Sequence, residues 1–183
     1  MWAQQAGETG EDESNGVVLV GTSIFVMGSF DSPTIRFGSS VLANADTSPF
    51  PTKDAFVAKL TDQGASRVLT WAQRAGGADG DDNSLALAVD GSNVYITGYF
   101  RGPTASFGGL VLANANPNTG DAPSDVFVAK LTNSGTTGSF AWAKQAGGPS
   151  FDQTSGIAVE AGRVVDNRQL QWCDQFVWDH DAN

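Results

Sequence analysis

An all-β fold assembled from repeated four-stranded antiparallel units is what this 183-residue sequence predicts. Three observations predict it. DAFVAKLT at residues 54–61 returns as DVFVAKLT at residues 125–132, the clearest part of a unit of about 70 residues that occurs twice and begins a third time. The 22 glycines fall mostly in pairs or at the ends of apolar runs, where turns need positive φ. Aromatic and β-branched residues gather in short runs, and no long stretch spaces its apolar residues as a helix does.

The repeat can be followed position by position. Trp2, Trp71 and Trp142 open WAQQAG, WAQRAGG and WAKQAGG. SIFVMGSF at 23–30 matches NVYITGYF at 93–100, Arg36-Phe37-Gly38 matches Ser106-Phe107-Gly108, and VLAN at 41–44 recurs unchanged at 111–114. The third unit opens with GGPSFDQTSGIAVE at 147–160, and Val164-Val165 begins its next strand. Residues 1–165 therefore read as tandem repeats, and residues 166–183 as a tail without an upstream counterpart and a candidate disordered segment.

Each unit holds four strand candidates. The first, 16–20 or 85–89, is apolar throughout and is expected to be buried on both faces. The second, 24–30 or 94–100, is nearly all apolar or aromatic. In the third, 55–60 or 126–131, Lys59 and Lys130 mark a wetter face and place the strand nearer the sheet edge. The fourth, 68–73 or 139–144, carries the tryptophan. Four antiparallel strands per unit is the pattern of a β-propeller blade. The chain would supply two full blades and part of a third, an incomplete propeller. The surplus over a simple blade lies in inserts at 31–53 and 101–124, which are expected to form a small extra strand or hairpin and to emerge on one rim.

Composition narrows the function classes. A net charge of −10 argues against nucleic acid, whose phosphates need lysine and arginine, and against an anionic membrane surface. One cysteine, Cys173, excludes an internal disulfide. No apolar run is long enough for a membrane helix, and membrane insertion is not expected. Met1 is followed at once by a mid-repeat motif, so no signal peptide is expected and the chain reads as a piece of a longer protein.

Taken as a set, WAxxAGG, an acidic turn, LAVD, NVYITGYF, SFGG and DVFVAKL resemble the bacterial β-propeller repeat family often labelled SBBP, over residues 2 to about 165. The resemblance implies a large secreted or cell-surface protein with many tandem repeats, hence an extracellular location, and no catalytic residues. Two departures stand out: NGVVLVGTS in the first unit lacks the aspartate of LAVDGSN, and the third unit departs from the pattern near Val165.

The candidate sites are few. The recurring tryptophans read as packing between units rather than as a sugar ladder. Asp79, Asp81 and Asn83 alternate oxygen ligands like the start of a calcium loop, but the loop has no glutamate at its far end. Ca²⁺ is the one cofactor this suggests, and those three residues are where it would bind. Counting from each tryptophan, only one acidic residue is common to all three turns, at Asp12, Asp81 and Asp152. It is read as an acceptor for turn N–H groups. A catalytic triad would have to use the single histidine, His180, and a zinc site would have only Cys173 and His180. Asp81 and Asp152 as glycosidase carboxylates sit at repeated turn positions, and Gly76-Gly77 and Gly147-Gly148 precede no helix. The expectation is a non-enzymatic structural or interaction module that binds protein or carbohydrate through rim loops. Arg36, Phe37, Arg101 and Phe107 would form its contact surface, together with the asparagine-rich segment 114–118. Further repeats or self-association would complete it. The alternative is a carbohydrate-binding or calcium-dependent adhesion module.

Overall fold

The computed structural model describes residues 3, 5–117, 123–169 and 177–178. Every sheet is antiparallel, and among the described residues there is no helix. The first unit contains β1 (Asp12–Val20), β2 (Ser23–Phe30), β3 (Thr34–Phe37), β4 (Ser40–Ala43), β5 (Asp54–Asp62) and β6 (Arg67–Gly76). The second repeats them as β7 (Asp82–Asp90), β8 (Asn93–Phe100), β9 (Thr104–Phe107), β10 (Leu110–Ala113), β11 (Asp125–Asn133) and β12 (Gly138–Ala146). The third holds β13 (Gln153–Glu160) and β14 (Arg163–Gln169), with β15 (Val177–Trp178) paired on β14.

Each complete unit is a four-stranded meander, β1-β2-β5-β6 or β7-β8-β11-β12, with the insert folded into a hairpin; β3-β4 stands as a two-stranded sheet, and β9-β10 extends the first unit's sheet to six strands. The first strands β1, β7 and β13 lie side by side from sheet to sheet. β14 pairs with β13 in the register that β8 keeps with β7, Thr154 opposite Arg168 as Ser84 is opposite Gly98. The third unit's second strand thus crosses Val165, the point where side-chain similarity stops. Cys173, His180 and Trp2 lie outside the described residues.

Two-residue turns join the first and second strands, and Gly21 (φ 59°) and Gly91 (φ 57°) hold their first positions. A left-handed backbone is cheap there only for glycine. Ala161 occupies the same place in the third unit at φ 49°.

The core lies between sheets. Phe25, Met27, Val57 and Trp71 on the rear face of the first sheet pack against Val94, Ile96, Phe127 and Leu131 on the front face of the second. Tyr95 and Val128 on the rear of the second meet Val164, Ile157 and Val159 of the third. The tryptophan of each fourth strand is a wedge in this packing: Trp71 stands 6.1 Å from Phe25, and Trp142 6.2 Å from Tyr95, ring centre to ring centre. Trp71 also donates to Asn133 Oδ1 of the next unit at 3.1 Å and leaves room at Gly138 only for hydrogen.

Two strand expectations are corrected. β5 is an interior strand, and Lys59 is only 6% exposed. Its ammonium reaches Asn133 Oδ1 at 3.3 Å and Gly135 O at 3.0 Å, carried by the turn between β11 and β12. Lys130, on the interior strand β11, lies 5.7 Å over the Tyr95 ring. A lysine that bonds the neighbouring unit's turn satisfies its charge without a sheet edge. The first strands, conversely, are edges. Leu85, Leu87 and Val89 are half-buried, and Val17, Leu19 and Val20 are exposed. β7 has β1 and β13 beside it, whereas among the described residues β1 has such a neighbour, β7, on one side only.

Replacing Ala161 with glycine removes the left-handed penalty and should raise stability by about 1 kcal/mol in urea unfolding. Trp71→Ala empties the inter-sheet wedge and should cost about 3–5 kcal/mol in the same measurement.

Candidate functional site

The features that could act on another molecule lie at the joints between units, on the open face of the first sheet, and on the insert hairpins. The joints come first, because the repeated motifs converge there.

The insert hairpin of each unit reaches back to the fourth strand before it. Phe107 and Ser106 of β9 pair with Ala75 and Gly76 of β6. Phe37 of β3 pairs with Ala6 in the same way, and Gly7 N–H donates to Arg36 O at 3.3 Å. Phe37 and Phe107 are therefore buried, Phe37 edge-on to Phe56 and Phe107 to Phe127 and Phe140. This corrects their expected place on a contact surface: a residue that clasps two units has no face left for a partner.

The VLAN motif and the aspartate that opens DxFVAKLT explain each other. The buried Asn44 amide donates to Thr52 O at 2.9 Å, and that of Asn114 to Pro123 O at 2.8 Å, which pins each insert where it returns to the sheet. The next residue's N–H then donates to the strand aspartate, Ala45 to Asp54 Oδ2 at 2.6 Å and Ala115 to Asp125 Oδ2 at 2.8 Å. Asn116 N–H turns back to Asn114 Oδ1, and Asn118 lies outside the described residues.

Asp54 is fully buried beside a second carboxylate, Asp82, which opens β7 of the next unit. A Cβ at Gly76 would fall on Asp54 Oδ1 and stand 2.8 Å from Asp82 Oδ2, so the two acids share one small space. Arg74 donates to Asp54 Oδ2 at 2.8 Å. Gly77 N–H donates to Asp82 Oδ2 at 2.6 Å. Among the described residues Asp54 Oδ1 has no hydrogen-bond partner, and the Arg101 N–H lies near Asp82 besides that of Gly77. Burial pushes the Asp54 carboxyl above its ordinary value, against the pull of the Ala45 N–H and Arg74. Burial pushes Asp82 well above its ordinary value, with Asp54 adding to the rise and the Gly77 N–H opposing it.

This geometry corrects the repeated aspartate. Asp82, not Asp81, is equivalent to Asp12 and Asp152. Asp12 and Asp82 stand opposite Phe30 and Phe100, and each accepts the N–H of a residue shortly before it, Glu8 for Asp12. Asp82 and Asp152 both donate their backbone N–H to the end of the preceding insert, Lys53 O and Ser124 O. The first of these two turns is one residue longer, so counting from the tryptophan lands one position short.

The three proposed calcium ligands have separate engagements. Asp81 Oδ1 accepts the Lys53 N–H at 3.1 Å, the buried Asn83 amide donates to Tyr99 Oη at 3.0 Å, and Asp79 is exposed. Among the described residues no three histidine, cysteine, aspartate or glutamate side chains gather as a metal site.

The insert loops present what remains. Arg36 is exposed and ion-paired with Glu8. Arg101 is half-buried, its guanidinium 5.3 Å from the Tyr99 ring and 5.6 Å from the Phe151 ring. Phe50, between Pro49 and Pro51, is 91% exposed. Its Pro-Phe-Pro setting was the available signal, since neither strand nor helix can bury a phenylalanine held that way.

The front face of the first sheet carries Phe30, Ile35, Phe37, Phe56 and Ala58, with Val26, Leu42, Leu69 and Ala72 around them. Their equivalents in the second unit lie inside the core formed with the first sheet. On the first sheet this face opens into a recess of about 320 Å³ where Ile24, Val26, Ile35, Phe37, Phe56 and Leu60 meet the charged residues Asp12, Glu13 and Arg67.

No model of a known protein family matches this chain, and no curated protein matches it.

Arg74→Gln should lower stability by about 2 kcal/mol at neutral pH, less than for a fully buried pair because Arg74 is partly exposed. Asp54 titrates above its ordinary 3.8, so acidification neutralises it and removes the need for arginine. The loss measured by urea unfolding should therefore shrink as the pH falls toward 4.

Proposed function

We propose that the chain is a non-enzymatic structural or interaction module of the β-propeller type, in which each four-stranded sheet is a blade and further blades complete the fold. The observation that carries this reading is the open front face of the first sheet. On the second sheet the equivalent surface lies beneath Phe25, Met27, Val57 and Trp71. Another unit of the same pattern would bring those side-chain types to Ile24 and Val26, continuing an interface the chain already makes. The side-by-side run of β1, β7 and β13 suits strands grouped around a common axis. The resemblance of the repeat points the same way, and with it to a secreted or cell-surface protein.

The unit that covers the front face comes from a longer chain or from a second copy. Contact with an outside partner, protein or carbohydrate, falls to the insert loops, where Phe50, Arg36 and Arg101 remain accessible in part. Sheets held by their neighbours give those loops fixed positions, so binding requires little ordering of the module.

Light scattering over a micromolar concentration series tests the stacking. The chain should associate with rising concentration, and Val26→Asp, which places a charge on the apolar part of the recess, should stay monomeric while keeping its sheet content by circular dichroism. A chain that remains monomeric throughout, with Val26→Asp indistinguishable from it, overturns the reading.

A further inference from the structure

The segment that leads into β1 repeats a fourth strand. WAQQAG at 2–7 matches WAQRAG at 71–76, which is the end of β6. The contacts match as well as the letters. Ala6 bridges Phe37 as Ala75 pairs with Phe107. A Cβ at Gly7 would stand 2.8 Å from Asp12 Oδ2, and one at Gly76 would stand 2.8 Å from Asp82 Oδ2. Glu8 N–H donates to Asp12 Oδ2 at 2.8 Å, and Gly77 N–H to Asp82 Oδ2 at 2.6 Å. Residues 5–7 therefore lie against the first unit as the end of β6 lies against the second.

The end of β6 has another strand on its far side. Ala75 pairs there with Ala55 of β5 and is buried. Ala6 has no such strand among the described residues and is exposed. Gly7 N–H donates to Arg36 O, so the alternation of an antiparallel pair turns the Ala6 N–H and C=O toward the open edge. The recess of the front face begins at that edge, with Ala6, Ile24 and Val26 in its lining. Their equivalents Ala75, Val94 and Ile96 are buried in one cluster with Ala55 and Val57 of β5. Ile24 and Val26 are only half-buried. The seat that the second unit offers to β5 is thus present, uncovered, on the first.

Its far end is acidic. Between the first and second units, Lys59 reaches Asn133 Oδ1 at the end of β11. Asp62 holds that place at the end of β5: its Oδ1 accepts the Gly64 N–H at 2.8 Å, as Asn133 Oδ1 accepts the Gly135 N–H at 3.2 Å.

We propose that residues 5–7 and the recess beside them form a strand-binding groove whose ligand is an extended segment of the pattern Asp-x-Phe-Val-Ala-Lys, running antiparallel to residues 5–7. The residue x pairs with Ala6, the side chains of x and Val enter the recess, and the lysine reaches the Asp62 carboxylate. Main-chain bonds at the open edge supply affinity, and the seats for alternate side chains supply the choice of sequence. β5 and β11 carry this pattern, but each is paired on both edges, so a folded second copy cannot offer them. The occupant is the third strand of a further unit. The inference rests on the stacking reading above and names the strand by which the covering unit attaches.

The test uses the whole chain, dilute and labelled with ¹⁵N, and the capped peptide DAFVAKLTD, the sequence of residues 54–62, as probe. The amides of Ala6, Gly7 and Val26 should shift saturably. A peptide with aspartate in place of its valine should bind about ten-fold more weakly or worse. Asp62→Asn should weaken binding several-fold and reduce its dependence on salt. Ala6→Pro, which removes the donor facing the peptide, should abolish binding while the amides of β7 to β14 stay in place. No saturable shift up to about 1 mM peptide overturns the proposal. So do equal shifts from a shuffled peptide, or undiminished binding by Ala6→Pro. Should Ala6→Pro disturb the rest of the spectrum, the aspartate peptide against the unaltered chain decides. A chain that self-associates through the front face yet ignores the peptide overturns the strand groove and leaves the stacking standing.

Discussion

Sheets that are apolar on both faces govern this molecule. β2, β5, β8 and β11 send large apolar side chains to the front and rear alike, so a single unit leaves one oily surface in water whichever way it turns. Stacking on the next unit is the solution the chain adopts twice, with a tryptophan on each fourth strand filling the gap. Dispersion and burial provide the force, and neither has direction. Sheets held by grease alone could slide or rotate on each other.

Direction comes from polar groups placed at the joints. Lys59 and Trp71 both bond Asn133 across the first joint, the insert hairpins add short ladders to the preceding fourth strands, and backbone N–H groups run from Asp82 and Asp152 to the inserts before them. The most costly devices are the buried acids. Asp54, Asp82 and Asp125 sit where water cannot reach, and among the described residues Asp54 and Asp125 each have one oxygen with no partner. A buried carboxylate weakens the fold unless it is answered by donors or a counter-charge. The first joint answers with Arg74. The second has glutamine, Gln145, in that place.

The proposed role of the module follows from where these devices are spent. The repeated motifs that looked most like functional signatures, VLAN and the acidic turns, hold inserts and sheets in place. Among what varies between the units are Phe50 in the first insert and Arg101 at the start of the second, beside Tyr99 of β8 and Phe151 of the turn before β13. A scaffold whose constant residues are absorbed by its own joints leaves recognition to the parts that differ.

By itself the sequence determined the strands. The all-β class, the four-strand unit and the extra hairpin were legible, and residues 24–30 became Ser23–Phe30 while 68–73 became Arg67–Gly76. Those features are local, written in alternation, apolar runs and glycine turns repeated at one spacing. Tertiary structure alone decided what covers each strand. Lys59 looked like an edge marker because its partners lie 74 and 76 residues away. LALAV looked doubly buried, yet it lies at a sheet edge. Phe37 and Phe107 looked like a contact surface because their backbones pair with Ala6 and Ala75 of the preceding unit and their rings pack on strands distant in sequence, and one added residue in a turn moved the shared aspartate from Asp81 to Asp82. Burial and charge pairing are properties of surfaces brought together by folding, and no spacing within a single unit carries that information.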